Sequence, residues 1–310
     1  MTSTAPGCWA EAIRAGDFAR AWMINDRDLL EIAHPPKHTG PRHLQRIWRG
    51  EDLKDKHVLV RCYHGLGDTI QFLRFMSPLR AIARSVTLWC QPELLPLLEG
   101  AAGVDRAIPL HDGAPEIAFE VDIEIMEVPH AIRARRDQVE MRGPYLALPP
   151  LAVPPPRRGQ GLAVGLVWKV GEWDKRREVP AALLRNLAGF GVTLHSLQRG
   201  ASTEELAAVG ARDVSTPDIT ALGHRLRQLD LVVCVDTMVA HLAGALGCEA
   251  WVLLHADCDW RWPPSGARSF WYPSLRLFHQ RRPGDWGHVV AEVRDALRAR
   301  LEAGRATAAT

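Results

Sequence analysis

Asp236, Thr237 and His241 carry the strongest chemical signal in the chain. They follow the apolar run Leu229-Asp230-Leu231-Val232-Val233-Cys234, which reads as a buried strand, and they open the small-residue stretch Met238 to Gly247. A strand that ends in Asp-Thr and turns into a helix places polar groups at the carboxyl edge of a parallel sheet, where open α/β sheets bind ligands. The helix start gathers unpaired N–H groups and a partial positive charge, which suits phosphate. His241 lies one turn beyond Thr237 and so faces the same place. The chemistry implied is a nucleotide or sugar-phosphate site.

A second constellation is His64-Gly65-Leu66-Gly67-Asp68, directly after the strand-like run His57 to Cys62. Gly65 and Gly67 let the backbone approach a ligand closely, and Asp68 is presented at the next helix start. The third glycine of a dinucleotide fingerprint is missing, which argues against an NAD site. Asp68 reads equally as a general base for a sugar hydroxyl or as a helix cap, with His64 as a second candidate base. The loop after Trp168 supplies Lys175, Arg176 and Arg177, cations placed to clamp a diphosphate or simply to face solvent. Gln198, in Ser196-Leu197-Gln198-Arg199-Gly200, adds a polar group at the same rim. Asp257 to Trp262 and Trp271-Tyr272-Pro273 form an aromatic-rich region, open between ligand stacking and a packed core around an arginine.

These groups need two sheets to hold them. Strands are expected over 57–62, 85–90, 106–110 and 121–125, with helices over 69–83 and near 93–99. A Pro-rich stretch, 151–160, reads as a stiff linker, after which the pattern restarts. Strands then fall at 162–168, 192–197, 229–235 and 250–254, with helices at 181–188, 203–208, 219–226 and 238–246. Apolar residues at helical spacing, Val289, Val290, Val293, Leu297 and Leu301, predict a long closing helix. Alternating strands and helices argue for parallel sheets covered on both faces. The domains expected are a helical extension and loop (1–50), an N-terminal Rossmann-like domain (51–150), the linker (151–160), a C-terminal Rossmann-like domain (161–284) and a closing helix and tail (285–310). Two similar halves joined by a linker imply a cleft.

The net charge of +2 gives no general case for nucleic-acid binding, and arginine clusters at 133–136, 176–177 and 281–282 are ordinary solvated runs. Six cysteines without a CxxC pair argue against a zinc site or a disulfide framework, and no metal or cofactor is expected. The N-terminus lacks a secretory signal, and the longest uncharged stretch, Gly143 to Pro156, holds six prolines and cannot be a membrane helix. A cytoplasmic protein is expected, with peripheral association at the inner membrane left open.

Collected, these motifs resemble glycosyltransferase family 9, the bacterial heptosyltransferase-like group, in the branch often fused to tetratricopeptide repeats. The matching residues are Gly65 to Phe72, Gly165 to Trp168, Ser196 to Gln198, Asp230 to Val232, Asp236-Thr237, Ala240 to Gly247, Asp259 to Trp262, Trp271 to Phe278 and Gly284 to Trp286. Gly16-Asp17-Phe18-Ala19-Arg20-Ala21-Trp22 is similar to part of a tetratricopeptide helix pair, too little to bury its own face, so it is expected to pack on the main body. The resemblance implies an α/β chain of glycosyltransferase-B architecture, two Rossmann-like parallel-sheet domains facing a cleft with a short helical N-terminal extension. It implies an acceptor domain first and a nucleotide-sugar domain second, and metal-independent, inverting transfer, with heptose among the sugars. It gives Asp68 the role of catalytic base. Asp236, Thr237 and His241 would hold the donor, with Arg177, or Lys175 or Arg176 in its stead, as phosphate-binding cation. Met238, in the donor loop, stands where glycine is usual.

The donor expected is an ADP-, GDP-, UDP- or dTDP-linked sugar, and the acceptor a glycan, a lipid-linked molecule or a protein. Rival readings are a nucleotide-sugar epimerase, which would need no acceptor, and a non-catalytic module that binds nucleotide-sugar.

Overall fold

The computed structural model describes residues 8–31, 37–140, 143–150 and 161–308, so the Pro-rich linker reading at 151–160 falls outside the described residues. The chain forms two compact units, Met1–Pro149 with Trp260–Pro263, and Pro150–Asp259 with Pro264–Thr310.

The first unit opens with two short helices, α1 (Trp9–Arg14) and α2 (Phe18–Glu31). Gly16 takes the left-handed conformation (φ 70°) that turns one into the other, and Asp17 accepts the Arg20 N–H at the start of α2. The pair buries Ile13, Phe18 and Trp22, and the Trp22 indole N–H donates to the Ala134 carbonyl at 2.8 Å. The helices therefore pack on the body of the unit.

There follow β1 (His57–Arg61), α3 (Leu66–Phe72), α4 (Met76–Arg80), β2 (Ser85–Cys90), α5 (Leu95–Leu98), β3 (Arg106–Pro109), β4 (Val121–Glu124), α6 (Val128–Ala131) and α7 (Arg136–Val139). The single helix expected over 69–83 is instead interrupted by a 3-10 turn, Leu73–Phe75. Pro78 has no N–H to offer the Arg74 carbonyl, so the ladder tightens just before it. All pairs are parallel, in the order β3-β2-β1-β4. From β1 the chain adds β2 and β3 on one side, and β4 then joins on the other. The winding direction thus reverses between β1 and β4, which opens a crevice at their carboxyl ends.

The second unit holds β5 (Leu162–Val167), α8 (Ala181–Leu184), β6 (Val192–Ser196), α9 (Thr203–Val209), β7 (Arg212–Asp213), α10 (Ile219–Gln228), β8 (Leu231–Val235), α11 (Met238–Ala245), β9 (Ala250–Leu254), β10 (Leu275–His279) and α12 (Trp286–Ala308). Its six parallel strands run β10-β9-β8-β5-β6-β7, and the reversal falls between β5 and β8. Two edge strands were not anticipated. β7 is two exposed residues without an apolar pattern, and β10 alternates buried Leu275 and Leu277 with exposed Arg276 behind a Pro-Ser turn.

The core follows from alternation. Val164, Leu166 and Trp168, Leu231, Val233 and Val235, and Trp251 and Leu253 all join one buried cluster. Trp286, Val289, Val290, Val293 and Leu297, spaced to fall on one side of α12, close that cluster.

Candidate functional site

In the second unit the carboxyl end of β8 turns through Asp236 and Thr237 into α11. Thr237 is extended (φ −147°) and caps the helix, its hydroxyl accepting the Val239 N–H at 3.3 Å. Met238 is the first helical residue. Asp236 is buried, and Arg177 from the loop after β5 donates to its carbonyl at 2.9 Å while standing 3.9 Å from its carboxylate. A guanidinium is thus fixed beside a helix start, at the point where the winding reverses.

The other cations of that loop are engaged elsewhere. Lys175 pairs with Glu172 and Glu178, at 3.1 and 3.2 Å. Arg176 binds Asp174 through two nitrogens and reaches Asp257 at 3.3 Å, and its hydrogen bond holds the Asp174 carboxyl below the usual range. Gln198 works as a latch, its Oε1 accepting the Trp168 and Lys169 N–H groups at 3.0 and 2.8 Å, which sets the course of the loop leaving β5. Lys169 itself pairs with Glu205 of α9.

His241 sits one turn into α11, buried, with Nδ1 2.9 Å from the Tyr272 hydroxyl. The sequence pairs His241 with Thr237 and places Tyr272 in an aromatic-rich region, without linking the two. Gly244 makes this contact fit, since a Cβ there would lie 2.2 Å from the tyrosine ring. His255, which carried no signal in the sequence, is buried 3.7 Å from Asp174, and burial lowers its imidazole below the ordinary value.

In the first unit the corresponding edge is built from β1, β4 and the start of α3. Gly65 precedes α3 in extended backbone, and its N–H donates to Asp68 Oδ2 at 2.9 Å, so Asp68 does serve as a cap. The other Asp68 oxygen forms an ion pair with Arg261, whose Nε donates to Gln71 Oε1 at 2.7 Å. Gly67 lies within α3, one residue ahead of Asp68.

His64 is held at two points. Its Nδ1 lies 3.0 Å from Glu124 Oε1, and its carbonyl accepts from Gln91 at 2.6 Å. Burial pulls the imidazole down, but the hydrogen bond and charge of Glu124, with the charge of Asp68, outweigh it and set the ring above the ordinary histidine value. Glu124 is fully enclosed and also accepts the Tyr63 and Met126 N–H groups, at 3.2 and 2.7 Å. Its signal was present in the sequence: Val121-Asp122-Ile123-Glu124-Ile125 places acids inside a strand that a parallel sheet must bury. The second acid, Asp122, binds the buried Arg61 at 2.8 Å.

All six cysteines are free thiols, and burial pushes Cys62 and Cys234 well up and Cys90 up to about 12, as small buried hydrophobes. Among the described residues no helix is long and apolar enough to cross a membrane.

No family model matches the chain. Among curated proteins, protein FlbA of Caulobacter vibrioides is 24% identical over 295 residues, covering 81% of this chain and 48% of that protein. The chain thus spans about half the length of this relative. Among solved structures, the ADP-heptose lipopolysaccharide heptosyltransferase II of E. coli superposes with a TM-score of 0.54 at 15% identity, covering 79% of this chain and 99% of that one. The glycosyltransferase family 9 protein of Veillonella parvula gives 0.51 at 12%, covering 74% and 87%. The heptosyltransferase TibC, in complex with ADP-D-β-D-heptose, gives 0.52 at 13%, covering 81% and 80%. At these identities the likeness establishes the fold: the two parallel-sheet units are those of the glycosyltransferase-B-like heptosyltransferases.

Proposed function

We propose that this chain is a metal-independent, inverting glycosyltransferase that moves a sugar, with heptose among the candidates, from a nucleotide-sugar donor to an acceptor hydroxyl. The observation that carries the reading is Arg177 fixed against the Asp236-Thr237 turn at the start of α11, at the reversal point of the second sheet. A helix start and a neighbouring guanidinium are what a departing diphosphate requires. The fold adds support, since structural neighbours sharing it are heptosyltransferases and TibC is seen with an ADP-heptose.

In this reading the second unit binds the donor and the first unit the acceptor. The acceptor oxygen bonds to the anomeric carbon on the face opposite the diphosphate, and the sugar–phosphate bond breaks. The leaving electron pair is stabilised by the α11 N–H groups and Arg177 in place of a metal ion. His241 contacts the donor with its ring orientation fixed by Tyr272. Lys175 and Arg176 lie on the same loop, and Gln198 keeps that loop in place. The acceptor proton goes to Asp68 in the first turn of α3, the base that the family resemblance names, with His64 on the loop before α3 as the second candidate.

The test is a thermal-shift screen against ADP-, GDP-, UDP- and dTDP-linked sugars, run with and without EDTA and with Asp236→Ala alongside. A ligand at 100 times its dissociation constant stabilises by about 2.7 kcal/mol. The expected result is a rise in midpoint with one nucleotide class, lost in Asp236→Ala and untouched by EDTA. A folded protein that responds to none of the four would overturn the reading. Conversion of the donor to an isomer, with no glycoside formed, would mark an epimerase.

A further inference from the structure

Eight of the eleven tryptophans are buried, and Trp9 and Trp260 are half-buried. Trp173, in the loop after β5, is 83% exposed. An indole is the largest apolar face a side chain offers, and leaving it in water forgoes the burial that the other ten obtain. The loop around it is nevertheless well tied. The next residue, Asp174, caps the 3-10 turn Lys175–Arg177, its carboxylate accepting the Arg176 N–H at 3.1 Å and its carbonyl the Arg177 Nε–H at 3.3 Å. Arg177 in turn holds the Asp236 carbonyl at 2.9 Å. Trp173 thus stands one residue from the anchor of the guanidinium assigned to the diphosphate.

The chain leaving β9 meets this loop through His255 and Asp257. Arg176 binds Asp174 at 2.9 Å and Asp257 at 3.3 Å, so the two segments share one cation. His255 is 5% exposed and its Nε2 stands 3.7 Å from Asp174 Oδ2. Among the described residues neither of its ring nitrogens has a hydrogen-bond partner. Buried polar groups in folded proteins are nearly always paired, so the carboxyl end of β9 carries a polar demand that the chain does not meet itself. The carboxylates decide what kind of ring the indole suits. Glu172, directly before Trp173, and Asp257 are both well exposed. A nucleobase, flat and apolar on both faces, stacks between apolar walls. A sugar ring has a C–H face edged by hydroxyls: the C–H groups suit the negative face of an indole, and the hydroxyls donate to carboxylates.

We infer that Trp173 is a sugar-stacking residue of the donor site, its indole lying against the C–H face of the sugar that the donor carries. This assignment rests on the glycosyl-transfer reading, which puts the diphosphate at Arg177 and the sugar next to it. Stacking reads the C–H face that hexoses and heptoses share, so the contribution of Trp173 belongs to the sugar as a ring rather than to one stereoisomer, and it is absent when the nucleoside diphosphate binds alone.

The experiment measures dissociation constants by titration calorimetry on the full chain and its Trp173→Ala and Trp173→Phe variants. The probes are ADP, GDP, UDP and dTDP, each alone and as its glucose conjugate, together with ADP-D-β-D-heptose. For the nucleotide class that binds, Trp173→Ala should weaken the sugar conjugate by about tenfold and leave the affinity of the bare diphosphate unchanged. Trp173→Phe keeps a ring and should recover most of the loss. Because the side chain is exposed, both variants should unfold at the wild-type midpoint without ligand, which separates lost binding from lost fold. Equal losses for the diphosphate and its conjugate, or no loss for either, overturn the assignment while the glycosyl-transfer reading stands. Wild-type protein that binds none of the four diphosphates in either form overturns both.

Discussion

At the scale of single residues, the second unit depends on a contact that only one side chain size permits. Tyr272 lies against the backbone of α11 because Gly244 has no Cβ, and its hydroxyl thereby reaches His241. Gly244→Ala should destabilise the protein by about 1–3 kcal/mol, the usual cost of overpacking a filled core, seen as a lower urea midpoint at unchanged slope. Tyr272→Phe keeps the ring and removes the hydroxyl, so it should cost about 1 kcal/mol and reduce the donor-induced thermal shift. An unchanged shift would mean that the orientation of His241 does not matter to the donor.

At the scale of elements, Glu127 joins the chain ahead of β1 to the end of β4. Its carboxylate accepts N–H groups from Ile47, Trp48 and Glu124, at 3.0, 2.9 and 3.0 Å. Burial nevertheless pushes its carboxyl from 4.5 up to about 7, so between those values the folded chain holds a proton that the unfolded chain has released. The contribution to stability is therefore complete below about pH 4.5 and is lost as pH rises through about 7. Glu127→Gln removes the titration. The stability of wild type relative to this variant should fall by roughly 3 kcal/mol between pH 4.5 and 8, measured by urea unfolding at several pH values. A flat difference would show that Glu127 is not held protonated. A smaller effect belongs to α9, whose start is a reciprocal capping box between Ser202 and Glu205. Ser202→Ala should cost about 1 kcal/mol in the same measurement.

At the scale of the whole molecule, the chain leaves the second unit at Asp259 and rejoins it at Pro264, and the four residues between count with the first unit. Trp262 is fully buried, and the Trp260 ring centroid lies 4.8 Å from that of Trp9 and 6.4 Å from that of Phe72. Trp262→Ala should thus cost about 3 kcal/mol or more. Hydrogen exchange should quicken in α3, although the substitution lies nearly two hundred residues away in sequence. Protection lost only within the second unit would contradict this placement.

Much of the fold was legible in the sequence because its signals are local. The strands of both sheets, the long final helix and the polar turns at Gly65 to Asp68 and at Asp236-Thr237 follow from apolar period and turn residues within a few positions of one another. The two edge strands and the break before α4 were missed where that local pattern was short or interrupted by proline. The partners of the site residues were not legible. His64 meets Glu124 sixty positions on, His241 meets Tyr272 thirty-one positions on, and Asp68 meets Arg261 at a separation of 193. Such pairs depend on strand order and register, which place β4 beside β1 and seat Trp260–Pro263 within the first unit. The sequence by itself determined which edges carry polar chemistry; the tertiary structure decided which partners those groups meet, because strand order and register bring together residues far apart in the chain.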